Sequence, residues 1–169
     1  MNIKTAALFG ASGKIGRRVV ALLRERQVRM RALVHRTPIP TEGVETITGS
    51  ITDLEAVRET VAGADLVVQM ATTKEDPDTF FDVSVRGTLN VLEACRNEPI
   101  KQFLLFGGDA AFGIWFYPQP IPINENHKLM AYPGYYAFTK VMEEVMTEQY
   151  GIQYGVPWTI LRSSWVFDA

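Results

Sequence analysis

The chain has 169 residues, of which 47% are apolar, with a net charge of −2 and a single cysteine; this suits one globular domain with its own core and excludes an internal disulfide. No apolar run approaches the roughly 20 residues of a membrane span, and His35 and His127, far apart in sequence, offer no metal-ligand spacing with the one cysteine, so a soluble, cytoplasmic, metal-free protein is expected. Residues 1–40 hold nine Lys or Arg against one acid, Glu25, a balance of +8 that leaves −10 for the rest; no aromatic residues are interleaved with these cations, which favours an anionic ligand or solvated faces over nucleic acid.

In chain order, Thr5 to Phe9 reads as a buried strand, and Gly10-Ala11-Ser12-Gly13-Lys14-Ile15-Gly16 as a glycine turn. A helix follows over Lys14 to Arg26, with Ile15, Val19, Leu22 and Leu23 on one stripe. Next come strands at Arg29 to Val34 and Glu45 to Thr48, a helix over Leu54 to Val61 and a strand at Asp65 to Met70. A helix over Phe80 to Arg96 carries Cys95 on its core stripe, and a strand at Gln102 to Phe106 leads into a loop, 107–133. That loop contains Trp115, Phe116 and Tyr117 and four of the nine prolines, and its length suits a functional loop. A helix over Tyr136 to Tyr150 and a strand at Trp158 to Leu161 close the pattern. This alternation predicts an α/β fold, a doubly wound parallel sheet that binds its ligand at the carboxyl ends of the strands.

The glycine turn lies between a strand and a helix. There, one glycine permits the turn, another lets the backbone approach a pyrophosphate, a third lets helix and strand pack closely, and the first helical amides face the phosphates. Tyr136 and Lys140 are four residues apart and share a helix face, so the ammonium is expected to lower the phenol's pKa and make Tyr136 an acid or base near neutral pH. The second strand ends Leu33-Val34-His35-Arg36 with no acid to accept hydrogen bonds from a ribose. NADP(H) is therefore expected over NAD(H), with Arg36 as the 2′-phosphate partner and Arg17 as a second.

These residues resemble the extended short-chain dehydrogenase/reductases, the NAD(P)-dependent epimerases, dehydratases and reductases. The resemblance spans almost the whole chain: the glycine turn, Gly49-Ser50-Ile51-Thr52-Asp53, Ala71-Thr72, Arg86 to Ala94, Pro122 to Glu125, Tyr136 with Lys140, and Leu161-Arg162. It implies a Rossmann-type fold over 1–169 and a cofactor held by Gly10, Ser12, Gly13, Lys14, Ile15, Gly16, Ser50, Ile51, Ala71, Thr72 and Lys140. It also implies hydride transfer between the nicotinamide and a substrate hydroxyl or carbonyl carbon, with Tyr136 handling the proton and Lys140 holding the ribose. The substrate is then a small molecule, a nucleotide sugar among the candidates.

Three departures accompany the resemblance. The family's serine or threonine is Gly108 here, its helical asparagine is Ser84, and the chain stops at Ala169, without most of the smaller lobe that shapes the substrate pocket. The first two favour a non-catalytic dinucleotide sensor as an alternative. Asp109 matches the general acid of sugar-nucleotide dehydratases, a second alternative, although the adjoining glutamate of those enzymes is Ala110 and a loop-bracing role suits Asp109 better. The family's pairing mode implies a homodimer through the helices near 80–96 and 136–150, with Val141, Met142, Val145 and Met146 as apolar surface.

Overall fold

In the computed structural model, which describes residues 1–39, 42–164 and 166, six strands form one parallel sheet. They are β1 (Thr5–Phe9), β2 (Arg29–Val34), β3 (Val44–Thr48), β4 (Leu66–Gln69), β5 (Gln102–Phe106) and β6 (Trp158–Leu161), in the order β3-β2-β1-β4-β5-β6. β1 pairs with β2 on one side and β4 on the other, so that Ala7 lies between Arg31 and Val67. The strand order therefore reverses beside β1, and the crevice of such a reversal opens where the glycine turn begins.

Alternation along the strands builds two cores. Ala7, Phe9, Val67, Phe103 and Leu105 point to one face, where they meet α2 (Leu54–Val61) and α3 (Gly87–Cys95) through Val57, Val61, Val91, Leu92 and Cys95. Met146 and Tyr150 of α4 (Tyr135–Tyr154) pack on the same cluster. Ala6, Leu8, Met30, Ala32 and Val68 point to the other face, under α1 (Lys14–Glu25). Burying a Leu, Val or Phe side chain contributes about 1.5–3 kcal/mol, so these rows fix the register: a slip of one residue would exchange the two faces.

Three helices differ from the sequence expectation, each for a local reason. On α1 the buried positions are Gly16, Val20 and Leu23, whereas Leu22 is 47% exposed and Ile15 and Val19 are half-buried; the close approach of Gly16 to the turn sets the helix's rotation. The helix expected over Phe80 to Arg96 is a wide π-helical turn at Phe81–Arg86 that continues as α3. Such a turn carries an extra residue per repeat, and here it brings buried Ser84 against Thr72 and Thr73 while Gly87 presses on Ile51. α4 runs beyond the expected Tyr136 to Tyr150 at both ends. Gly151 is a position of close approach, where an added Cβ would lie 2.1 Å from Trp158 Nε1, and the helix ends instead at Gly155, whose φ of +70° is left-handed.

Candidate functional site: a cleft along the strand ends

The carboxyl ends of β1 to β5 open into one cavity of about 1020 Å³. Gly13, Lys14 and Ile15 line it at one end and Tyr136 and Lys140 at the other. The described lining contains four cationic side chains, Lys14, Arg36, Lys74 and Lys140, and one acid, Asp109. That balance suits an anionic ligand.

Steric requirements define the glycine turn. Gly10 has φ +83°, and a Cβ there would lie 2.6 Å from the Ala71 backbone nitrogen; a Cβ on Gly16 would lie 2.2 Å from the Gly10 carbonyl oxygen. Gly13 meets only the Gly10 carbonyl oxygen, at 3.3 Å, and is exposed, so it is the glycine that leaves room for a ligand. Gly13 also stands at the N-cap of α1, where no side chain caps the helix and the first turn holds no acid. The N-terminus of α1 thus faces an open, electropositive cleft with no side-chain cap or acid of its own, which fits a bound pyrophosphate.

The sequence-predicted cofactor residues divide in their placement. Gly10, Ser12, Gly16, Arg36, Ser50, Ile51, Ala71 and Thr72 line the cavity with the residues already named. Arg36 is exposed beside His35 and Thr37 at the end of β2. Arg17 does not line it: its Nε donates to the Ser12 carbonyl at 3.0 Å and staples the turn to the helix. Of the Gly49 to Asp53 segment, Asp53 serves as the N-cap of α2, accepting from the amides of Glu55 and Ala56.

The segment Arg86 to Ala94 supports the cleft from behind. Asn90 Nδ2 donates to the Ile51 carbonyl at 3.0 Å, and a Cβ on Gly87 would lie 2.7 Å from Ile51 Cγ2. Thr88 Oγ1 accepts at 2.9 Å from buried Gln69, whose amide also pairs with the backbone N–H and C=O of Ala71. Ser84, at the family's asparagine position, accepts from the Thr73 amide at 3.2 Å and pairs with Thr72 Oγ1 at 3.1 Å. It braces the β4 end instead of reaching into the cavity.

At the other end, the Lys140 ammonium is buried 5.6 Å from the Tyr136 ring centroid. It donates to the Phe106 carbonyl at 3.0 Å and to Glu143 Oε2 at 2.8 Å. The expected lowering of the Tyr136 pKa is overturned. Burial of the phenol raises it, and although Lys140 pulls it down, Glu143 and Asp109 push it up again. An ammonium already held by a carboxylate does less for the neighbouring phenol.

Sequence reasoning missed two acids here. Glu75, in the loop after β4, accepts from the amides of Tyr135 at 2.9 Å and Tyr136 at 3.3 Å, capping α4 across sixty residues of chain. No local pattern announces such a cap. Glu143 did leave a signal, since it lies three residues after Lys140 on the same face.

Asp109 Oδ2 accepts from Trp115 Nε1 at 3.3 Å and Ser164 Oγ at 2.8 Å, an arrangement that ties the loop to the segment after β6. Gly108 is not enforced by space: its backbone is extended, and a Cβ would meet only ordinary contacts, Tyr136 Oη and the Ser163 carbonyl at 3.6 Å. Phe116 stacks on Tyr132 with centroids 5.0 Å apart, and both line the cavity with Trp115. The Pro122 to Glu125 segment is fixed by Arg162, which donates to the Glu125 carbonyl at 2.8 Å and pairs with Glu144.

On α4, Tyr135, Phe138 and Val145 are exposed and Val141 and Met142 half-buried, whereas Met146, expected as apolar surface, packs on the core cluster. Among the described residues no helix is long and apolar enough to cross a membrane. Nor do three or more His, Cys, Asp or Glu side chains gather there as a metal site.

Comparison with known proteins agrees with this geometry. The L-arabinose 1-dehydrogenase (NAD(P)(+)) of Haloferax volcanii is 25% identical over 176 residues, 96% of this chain and 67% of that protein. The UDP-glucose 4-epimerase of Rhizobium meliloti is 31% identical over 96 residues, 57% of this chain and 28% of that enzyme. A short-chain dehydrogenase/reductase superfamily protein from Agrobacterium tumefaciens, solved with bound NAD, superposes with a TM-score of 0.81 at 26% identity, covering 94% of this chain and 48% of that one. The UDP-glucose 4-epimerase of Brucella ovis, solved in complex with NAD, gives 0.82 at 23% identity, with 94% and 51% covered. This chain thus spans only about half of each of these solved proteins. The model of the NAD dependent epimerase/dehydratase family matches residues 6–167, and the chain belongs to that family, within the extended short-chain dehydrogenase/reductases.

Proposed function

We propose that the chain is the nucleotide-binding and proton-transfer part of an NADP(H)-preferring oxidoreductase or epimerase that acts at a hydroxyl or carbonyl carbon of a small molecule. The observation that carries this reading is the placement of Tyr136 and Lys140 on the same cavity as the glycine turn. Gly10, Gly13 and Gly16 with the first amides of α1 would hold the pyrophosphate. Arg36 would meet the 2′-phosphate, and the segments at Ser50 to Ile51 and Ala71 to Thr72 would flank the adenosine and the nicotinamide ribose.

The chemistry that a bound dinucleotide supplies is hydride exchange at its nicotinamide ring. The Tyr136 hydroxyl donates a proton to, or takes one from, the substrate oxygen. Two of the Lys140 N–H donors go to Phe106 and Glu143, leaving the third for a ribose hydroxyl. Phe116, Tyr132 and Trp115 present aromatic rings to this end of the cleft. Names such as UDP-glucose 4-epimerase among the relatives support a nucleotide sugar as the substrate class. The same family reading supports a homodimer formed through α3 and α4, and a cytoplasmic protein.

Gly108 and the raised phenol pKa favour a second reading, a dinucleotide sensor without turnover. Asp109, engaged twice on one oxygen, supports the dehydratase reading less. A screen of nucleotide sugars and small carbonyls with NADPH, run on the wild type and Tyr136→Phe, separates them. The enzyme reading requires a loss of about 10²–10⁴-fold in turnover with nucleotide affinity unchanged; equal turnover in both proteins contradicts it.

A further inference from the structure

Tyr136, Lys140, Glu143 and Thr147 fall at steps of four, three and four residues, a single inward stripe of α4. Three of them have a part in the site or in the helix: Tyr136 and Lys140 line the cavity, and Thr147 donates back to the Glu143 carbonyl at 2.8 Å. The Glu143 carboxyl does not line the cavity, is 0% exposed, and uses one oxygen on Lys140 while Oε1 finds no partner among the described residues. Stability explains such a carboxyl poorly. A buried ion pair roughly breaks even against an apolar pair of the same volume, and Lys140 is already anchored on the Phe106 carbonyl.

We propose that Glu143 is a positioning residue for proton transfer: it fixes the Lys140 ammonium and opposes its field at the Tyr136 phenol, so that the charge on Glu143 sets how readily Tyr136 releases its proton. This rests on Tyr136 acting as the acid or base of the reaction.

The surroundings leave Glu143 as the switchable partner. On its own helix Glu144 is its other charged neighbour, and that carboxyl is engaged by Arg162 at 2.9 Å. From the turn after β5, Asp109 adds negative potential at Tyr136. Asp82 and Arg86 of the π-helical turn pair with each other, as do Glu93 and Arg96 on α3. Glu75 lies at the helix start, on the Tyr135 and Tyr136 amides. Burial pushes the Glu143 carboxyl up to about 7, with Lys140 resisting the rise. Below that value Glu143 is neutral, and the Lys140 charge acts on the phenol unopposed. Above it the carboxylate cancels part of that charge and the phenol holds its proton more tightly.

The test reads Tyr136 directly, without substrate. The chain is labelled with ¹³Cζ-tyrosine, the Tyr136 resonance is assigned with Tyr136→Phe, and its pH titration is followed in the wild type and in Glu143→Gln. The expected result is a titration midpoint lower by about 1 pH unit in Glu143→Gln. The wild-type resonance should also show a small early inflection near 7, the ionisation of Glu143, which the substitution removes. If Glu143→Gln does not fold, the wild-type inflection decides alone. An unshifted midpoint, or a wild-type curve with no inflection, overturns the proposal. When that happens while Tyr136→Phe still loses turnover, only the role of Glu143 fails; a fully active Tyr136→Phe removes the reading on which the proposal rests.

Discussion

The two ends of the cleft are built under different constraints. At the glycine turn, geometry dictates the residue: Cβ atoms on Gly10 and Gly16 would sit 2.6 Å and 2.2 Å from backbone atoms, closer than real Cβ contacts. At the reaction end, Gly108 has room for a side chain, with its nearest neighbours at 3.6 Å, and the titratable groups pull Tyr136 in opposite directions. Backbone packing therefore fixes where a dinucleotide would lie. The chemistry at its far end depends on side chains that the fold would let vary.

Gly16→Val should produce the largest effect, because its Cβ would collide with backbone that cannot yield without moving α1 off the sheet. Nucleotide affinity should be lost and thermal stability reduced, as read by calorimetric titration and melting; retained affinity would break the steric side of the comparison. Next, Arg36→Glu should weaken NADPH binding by tenfold or more, about 1.4 kcal/mol, and leave NADH nearly unchanged. Equal losses for both nucleotides would show that Arg36 does not meet the phosphate.

A subtler effect is a slope in stability with pH. Glu143 binds its proton more tightly in the folded state than at its ordinary value of 4.5, with a folded value of about 7. Its contribution is fully favourable below 4.5 and declines as pH rises to about 7. Glu144, raised mainly by burial, acts in the same sense. Asp65 acts oppositely and at lower pH: Lys101 and the Lys4 amide hold its carboxyl well below the usual range, so its contribution is lost on acidification. Urea midpoints across the pH range should therefore fall between weakly acidic and neutral conditions, and less steeply in Glu143→Gln. The smallest effect belongs to Gly108→Ser, which should stay within about 0.5 kcal/mol of wild-type stability and leave nucleotide binding intact. A large destabilisation would remove the contrast between the two ends.

What was legible in the sequence follows the same division. Strands such as Arg29–Val34 and Gln102–Phe106 were readable to the residue because an apolar run between turn signals is a local pattern. The glycine turn was readable because its spacing encodes close backbone approaches that lie within a few residues. The rotation of α1 was not, since Gly16 rather than the larger Leu22 faces the sheet. The start of α4 was not, because Glu75 caps it from sixty residues away. Lys140 lies beside Tyr136 as expected and pulls the phenol's pKa down, yet the net shift is upward. The decisive quantities were the burial of the phenol and the carboxylate on the ammonium, and both depend on what the rest of the fold packs around them.

The central claim is that the glycine turn and Tyr136 belong to a single ligand site. The most direct test is an NMR titration of the doubly labelled chain with NADPH, following the Gly13 amide and the Tyr136 Cζ resonance together. One saturation curve describing both signals is the result expected here. A Gly13 amide that responds while Tyr136 stays still, or a titration in which neither moves, would contradict it.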